Sequence, residues 1–153
     1  MAFRKILRLR TITAVTAVLA LWVTISMGNG YGLVYSAYYG DLSEVKRLLG
    51  AGADINAKEK NGVTALMAAC LSGHRAVVES LLARGAEVNA KTEDGQTALI
   101  YAALKGDREI VAMLLARGAE IEAKDKSGKT ALGFATRTNH PEVREMLIRA
   151  GAK

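Results

Sequence analysis

Two kinds of hydrophobic pattern divide the chain. From Ile12 to Met27 the run ITAVTAVLALWVTISM is mostly apolar and shows no polar stripe at helical spacing. A helix of that kind is apolar all round. Further along, apolar pairs fall one helical turn apart, Val77-Val78 with Leu81-Leu82 and Ile110-Val111 with Leu114-Leu115. That spacing predicts helices with a broad apolar face and a polar back. Each is preceded by a short helix that opens on Thr-Ala-Leu, and Gly73 or Gly106 marks the tight turn between the two. After each second helix comes Gly-Ala and an extended segment.

The pattern repeats. NGVTALMAACLSGHRAVVESLLARGAEVNAK (61–91) aligns without a gap to DGQTALIYAALKGDREIVAMLLARGAEIEAK (94–124) and again to SGKTALGFATRTNHPEVREMLIRAGAK (127–153). Gly62, Gly95 and Gly128 fall 33 apart, as do Gly52, Gly85, Gly118 and Gly151. Thr64, Thr97 and Thr130 keep the same step. One step earlier, LLGAGADINAK (48–58) matches LLARGAEVNAK, and Tyr31 to Gly40 aligns with Thr64 to Gly73. The first helix of that earliest unit is therefore expected from Leu33 to Tyr39. Pro141 falls where a second helix begins, the one helical place that welcomes proline.

The period, G-x-T-A-L-x-x-A, the G-H or G-D turn, the Leu-Leu pair and G-A-[DE]-[VI]-N-A together resemble the ankyrin repeat. The resemblance runs from about Gly30 to the C-terminus. It implies an all-α solenoid of stacked helix-turn-helix units, here preceded by an N-terminal apolar export or anchor helix. Where the family usually has Pro and His in T-P-L-H, this chain has Ala65, Ala98 and Ala131, then Met67, Ile100 and Gly133. Those changes weaken the polar network of the turn and leave the packing intact.

The ends differ from the middle as a stack of repeats requires, since terminal units need polar outer sides. The column of Val77, Ile110 and Val143 has Glu44 in the first unit. The column of Val45, Val78 and Val111 has Arg144 in the last, and Arg149 replaces Ala83 and Ala116. Four units are expected: a cap repeat at 30–57, full repeats at 58–90 and 91–123, and a C-terminal cap repeat at 124–153.

Composition and charge refine this. Half the residues are apolar but only 5% are aromatic, so the core is built from Ala, Leu and Val, which suits closely packed helices. The net charge of +6 points first to nucleic acid or an anionic surface. However, Arg4, Lys5, Arg8 and Arg10 supply four of the positive charges. Beyond Gly40 there are 17 Lys and Arg against 15 Asp and Glu, which leaves +2. The repeat region is nearly neutral, which argues against nucleic-acid binding.

A basic head before an apolar run is the pattern of an export signal, so residues 1–28 are expected to act as a signal peptide or signal anchor. The head favours the cytoplasmic face, which places the repeats outside the cytoplasm, in the periplasm or extracellular space or held at the inner membrane. The 16 residues from Ile12 to Met27 reach only about 24 Å as a helix, short of the roughly 30 Å of a hydrocarbon core. Ser26-Met27-Gly28 and Gly28-Asn29-Gly30 offer small residues for cleavage. Both outcomes, a cut signal and a retained anchor, stay open.

Candidate chemistry is sparse. Cys70 is the one cysteine; it shares a column with Ala103 and Thr136 and is expected to be a buried inert thiol. His74 and His140 share a position with Asp107, where a helix-start polar role accounts for all three. No metal-ligand set, phosphate loop or nucleophile elbow is present, so no cofactor, no metal site and no catalysis are expected.

The family resemblance implies instead that turn tips and first helices form a concave partner-binding surface. The tips carry Lys58, Lys60, Asn61 and Val63, then Lys91, Glu93, Asp94 and Gln96, then Lys124, Lys126, Ser127 and Lys129. The ends of the first helices add Tyr38, Tyr39, Leu71, Ser72, Leu104, Lys105, Arg137 and Thr138. Six tip lysines against four acidic residues suit a partner protein with an acidic patch. Tyr38 and Tyr39 are the expected anchors, and Tyr35, Tyr101 and Phe134, which share one column, are expected in the core. The reading is a monomeric, non-catalytic protein-binding scaffold. Its alternatives are a secreted effector bound to a host protein, a nucleic-acid binder and a Cys70-dependent redox protein.

Overall fold

The computed structural model describes residues 29–153. The export or anchor segment expected at 1–28 lies outside the described residues. Among the described residues no helix is long and apolar enough to cross a membrane.

Four helix pairs follow one another. They are α1 (Asn29–Tyr39) with α2 (Leu42–Gly50), α3 (Ala65–Ser72) with α4 (Arg75–Ala83), α5 (Ala98–Lys105) with α6 (Arg108–Ala116), and α7 (Ala131–Arg137) with α8 (Pro141–Arg149). No strand occurs among the described residues. The first helices α1, α3, α5 and α7 stack on one another, and the second helices form a looser parallel row.

Local chemistry sets where each helix begins. Thr64, Thr97 and Thr130 take extended backbone and their hydroxyls accept from the N–H of Met67, Ile100 and Gly133. Each satisfies one of the orphan donors of a helix start. The first unit has Tyr31 in this column in place of threonine. Its helix runs back to Asn29 instead of starting at Leu33, so Asn29 and Gly30 belong to the repeat helix.

The core is one continuous seam. Alanines 65, 68, 69, 98, 102, 103, 131 and 135 fill it between first helices, with Leu66, Met67, Leu99 and Ile100 beside them. Met67 and Ile100 are buried where the usual motif has histidine. The second helices contribute Val45, then Val77, Val78, Leu81 and Leu82, then Ile110, Val111 and Leu114, then Val143 and Leu147. The outermost second helices thus bury less than the inner ones. Arg144 is exposed, and Arg149 is exposed and pairs with Glu145 at 2.6 Å.

Candidate functional site

Each tip is a tight turn closed by its own backbone. Glu59 N–H donates to the Val63 carbonyl, Thr92 to Gln96 and Asp125 to Lys129, each at 3.0 Å. Neighbouring tips are stitched together by Glu93 N–H to Asn61 O at 2.9 Å and Lys126 N–H to Asp94 O at 2.8 Å. In the last tip one Asp125 carboxylate oxygen accepts from Ser127 N–H, Ser127 Oγ and Lys129 N–H. These bonds, led by the Ser127 hydroxyl, hold the Asp125 carboxyl below its ordinary range.

At the base of the tips a second ladder joins the repeats. Asn56 Oδ1 accepts from Glu87 N–H and Asn89 Oδ1 from Glu120 N–H, both at 2.8 Å. In the last rung Glu122 stands in for asparagine, and its carboxylate accepts from Lys153 N–H at 2.9 Å. The rows of tips and first helices are therefore fixed in register by backbone bonds, and their side chains are presented on a rigid frame.

Of the predicted contact residues, Tyr38, Tyr39, Lys58, Lys60, Asn61, Leu71, Lys91, Glu93, Asp94, Lys105, Lys124, Lys126, Ser127, Lys129 and Arg137 are exposed. Val63, Ser72, Gln96, Leu104 and Thr138 are half-buried. An open cavity of about 310 Å³ brings Tyr38, Tyr39, Val63 and Leu71 together with Val34, Tyr35, Glu59, Met67, Ala68 and Tyr101. Tip residues and first-helix residues share its walls, so the two rows form one face. Burial raises the Glu59 carboxyl above its ordinary range.

Tyr35 and Tyr101 depart from the expected core. Tyr35 is 64% exposed and Tyr101 half-buried, while Phe134 alone of the three is covered, at 5%. The fourth member of their column explains this. Ala68 stands between Tyr35 and Tyr101 in the stack, and so small a side chain leaves the two rings without a filler between them. That gap is the cavity. Tyr35 packs on Tyr39 with centroids 4.5 Å apart, and Tyr39 meets Tyr38 edge-on at 5.2 Å. The column signal was legible in the sequence through Ala68; reading only its large members hid it. Phe134 is covered in part by the Arg137 guanidinium, 4.9 Å above its ring.

Two family models match the sequence. One, described as ankyrin repeats (3 copies), matches residues 33–125, and the other, ankyrin repeats (many copies), matches residues 105–148. The chain belongs to the ankyrin-repeat family. Ankyrin repeats are protein–protein interaction scaffolds. No match was found among curated proteins.

Within this ankyrin stack the histidines act differently from a helix-start cap. His74 and His140 occupy the N-cap positions of α4 and α8 but make no cap bond to their own helices. Each ring reaches to the preceding repeat, with Nε2 3.0 Å from the Tyr38 carbonyl and 3.2 Å from the Leu104 carbonyl. A carbonyl only accepts, so Nε2 carries the proton. Each ring thereby satisfies a carbonyl at the C-terminal end of a first helix, where acceptors are left over. The rings lie over Gly40 and Gly106, both at positive φ, and a Cβ at Gly40 would stand 2.5 Å from the His74 ring. Glycine is required there twice over.

Asp41 and Asp107, by contrast, do cap their own helices, accepting from Glu44 N–H and Ile110 N–H at 3.0 Å. Asp107 also receives Arg75 of the preceding repeat at 3.0 Å. Cys70 is fully buried, and that burial, with the Asp107 charge behind it, pushes its thiol far up. A thiol held protonated is a poor nucleophile. Among the described residues no three His, Cys, Asp or Glu side chains converge as a metal site would need.

Proposed function

We propose that this ankyrin stack is a non-catalytic scaffold that works outside the cytoplasm and grips one partner protein through its turn tips and first helices. The tyrosine-lined cavity carries the reading: Tyr35, Tyr38 and Tyr39 expose large rings beside Val63 and Leu71 on the face shared by tips and first helices. Amphipathic rings held on a rigid frame are what interface hot spots are built from. Location rests on the basic head and apolar run of residues 1–28. The absence of chemistry rests on the buried, protonated thiol of Cys70.

A photo-crosslinking residue placed at Lys60, Gln96 or Lys126 of the full chain should trap a partner from the exported fraction. The same residue at Glu79 or Ala112, exposed on the second helices, should not. Partner capture from the second helices alone would remove the reading. Sequencing the mature N-terminus in the same fraction tests location: a start near Asn29 or Tyr31 means a cut signal, and an intact Met1 or Ala2 in the membrane means an anchor.

A further inference from the structure

Three columns of the concave face change character along the stack. One runs from Tyr38 through Leu71 and Leu104 to Arg137, a second from Val63 through Gln96 to Lys129, and a third from Tyr39 through Ser72 and Lys105 to Thr138. Tyr38, Tyr39, Leu71 and Val63 of the first two repeats line the cavity, with Tyr101 of the third. Lys105, Lys129 and Arg137 are exposed, and none has a carboxylate within ion-pair distance among the described residues. Of the other tip lysines, Lys91 meets Glu120 at 3.2 Å and Lys126 meets Asp94 at 3.4 Å, while Lys58, Lys60 and Lys124 are exposed with no carboxylate within ion-pair distance among the described residues. At the apolar end the one charged wall residue is Glu59, a carboxylate that disfavours an acidic side chain inside the cavity itself, while Lys58 and Lys60 flank it on the tip outside the cavity wall.

The polarity of these columns points to a single kind of occupant. We infer that the concave face takes a bipartite protein segment, an apolar anchor seated among the tyrosines of the first two repeats and an acidic stretch lying over Lys105, Lys129 and Arg137. This rests on the scaffold reading above and gives it a ligand class and a direction. A cavity of about 310 Å³ is at the small end of ligand pockets and holds one or two large side chains. Stacked helices lie about 10 Å apart, so two repeats span about 20 Å. An extended chain at about 3.3 Å per residue covers that in about six residues. The repeat region carries only +2 overall, so the attraction comes from this local segregation and not from bulk charge.

The test uses the full-length chain in non-ionic detergent and fluorescein-labelled synthetic peptides, read by anisotropy. Each peptide carries Leu-Leu-Trp and a glutamate run, separated by about six Gly and Ser residues, in both chain orders. Parallel peptides carry serine or lysine in place of glutamate. One order of the acidic peptide should bind at least about tenfold more tightly than its serine counterpart, and added salt should erode the difference. Tyr38→Ala with Tyr39→Ala should weaken every anchored peptide about tenfold. Lys105→Glu with Lys129→Glu and Arg137→Glu should weaken the acidic peptide alone and transfer preference to the lysine peptide. All five side chains are exposed, and unchanged circular dichroism of the variants excludes unfolding. Equal binding of serine and glutamate peptides overturns the inference and leaves the scaffold reading standing. Bound peptide cross-linking at Ala112 and not at Gln96 overturns both. No peptide binding, with selectivity for phosphatidylglycerol over phosphatidylcholine vesicles that the charge reversal abolishes, overturns the inference in favour of an anionic lipid surface.

Discussion

The inner first helices, α3 and α5, are short, rich in alanine and buried on nearly every side, whereas the second helices bury one stripe of Val, Ile and Leu and leave the rest in water. Small side chains let the first helices approach closely, and branched ones hold the second helices further apart. A stack that is tighter on one side than on the other curves toward the tighter side. Alanine placement would therefore turn the side of the first helices, which the tips and Tyr cluster border, into the concave one. Packing of the first row sets the shape of the proposed binding face, and the second row adds a stripe of buried Val, Ile and Leu behind it.

That division can be broken in order of expected effect. Leu114→Ala, at a fully buried position of the second row, should cost about 2–5 kcal/mol in urea unfolding, a transfer term plus a cavity term. The face itself should keep its shape in the folded fraction. Ala102→Leu, at 0% exposure in the first row, should cost about 1–3 kcal/mol by overpacking. The same change at exposed Ala112 should stay within about 0.5 kcal/mol. Equal costs at the two positions would abolish the contrast between the rows. Ala102→Leu should also weaken peptide binding in folded protein, since it pries the tight row open, while Leu114→Ala should not.

Smaller effects sharpen the picture. His74→Ala removes the bond to the Tyr38 carbonyl and should cost about 0.5–1.5 kcal/mol. Arg108→Ala, which breaks a 3.8 Å exposed pair with Glu142, should cost no more than about 1 kcal/mol. The smallest effect is one of pH. The folded-state value of Asp125 is depressed, so its contribution is present above the unfolded carboxylate range near 4 and fades as pH falls through the lower folded value. Asp125→Asn should flatten the acid limb of stability slightly and leave neutral pH little changed.

The period carried most of the fold, because glycine turns, threonine caps and Leu pairs are local and recur in register. Thr64, Thr97 and Thr130 cap where the pattern puts them. What escaped depended on neighbours one period away. Whether Tyr35 is covered is decided by the size of Ala68 beside it, and whether His74 caps its own helix is decided by a carbonyl at Tyr38. The start of α1 escaped for a different reason: Tyr31 stands where the other units have threonine, so the pattern carries no start signal there. At the candidate site the surface residues were legible from their columns, but the cavity was not, because it is made by a side chain that is too small.

The two histidine contacts have a bearing on how long such a molecule can be. Position 41 of the first repeat and its equivalents read Asp, His, Asp, His, so at this one position the repeats alternate in pairs. Excising Lys58 to Ala123 would bring His140 against the Tyr38 carbonyl and Gly40, where His74 now sits. Excising Lys58 to Ala90 alone would bring Asp107 there, which caps its own helix and would leave the Tyr38 carbonyl without the donor that His74 now supplies. Removing two repeats thus keeps a histidine bond at the new junction, whereas removing one exchanges it for an aspartate cap.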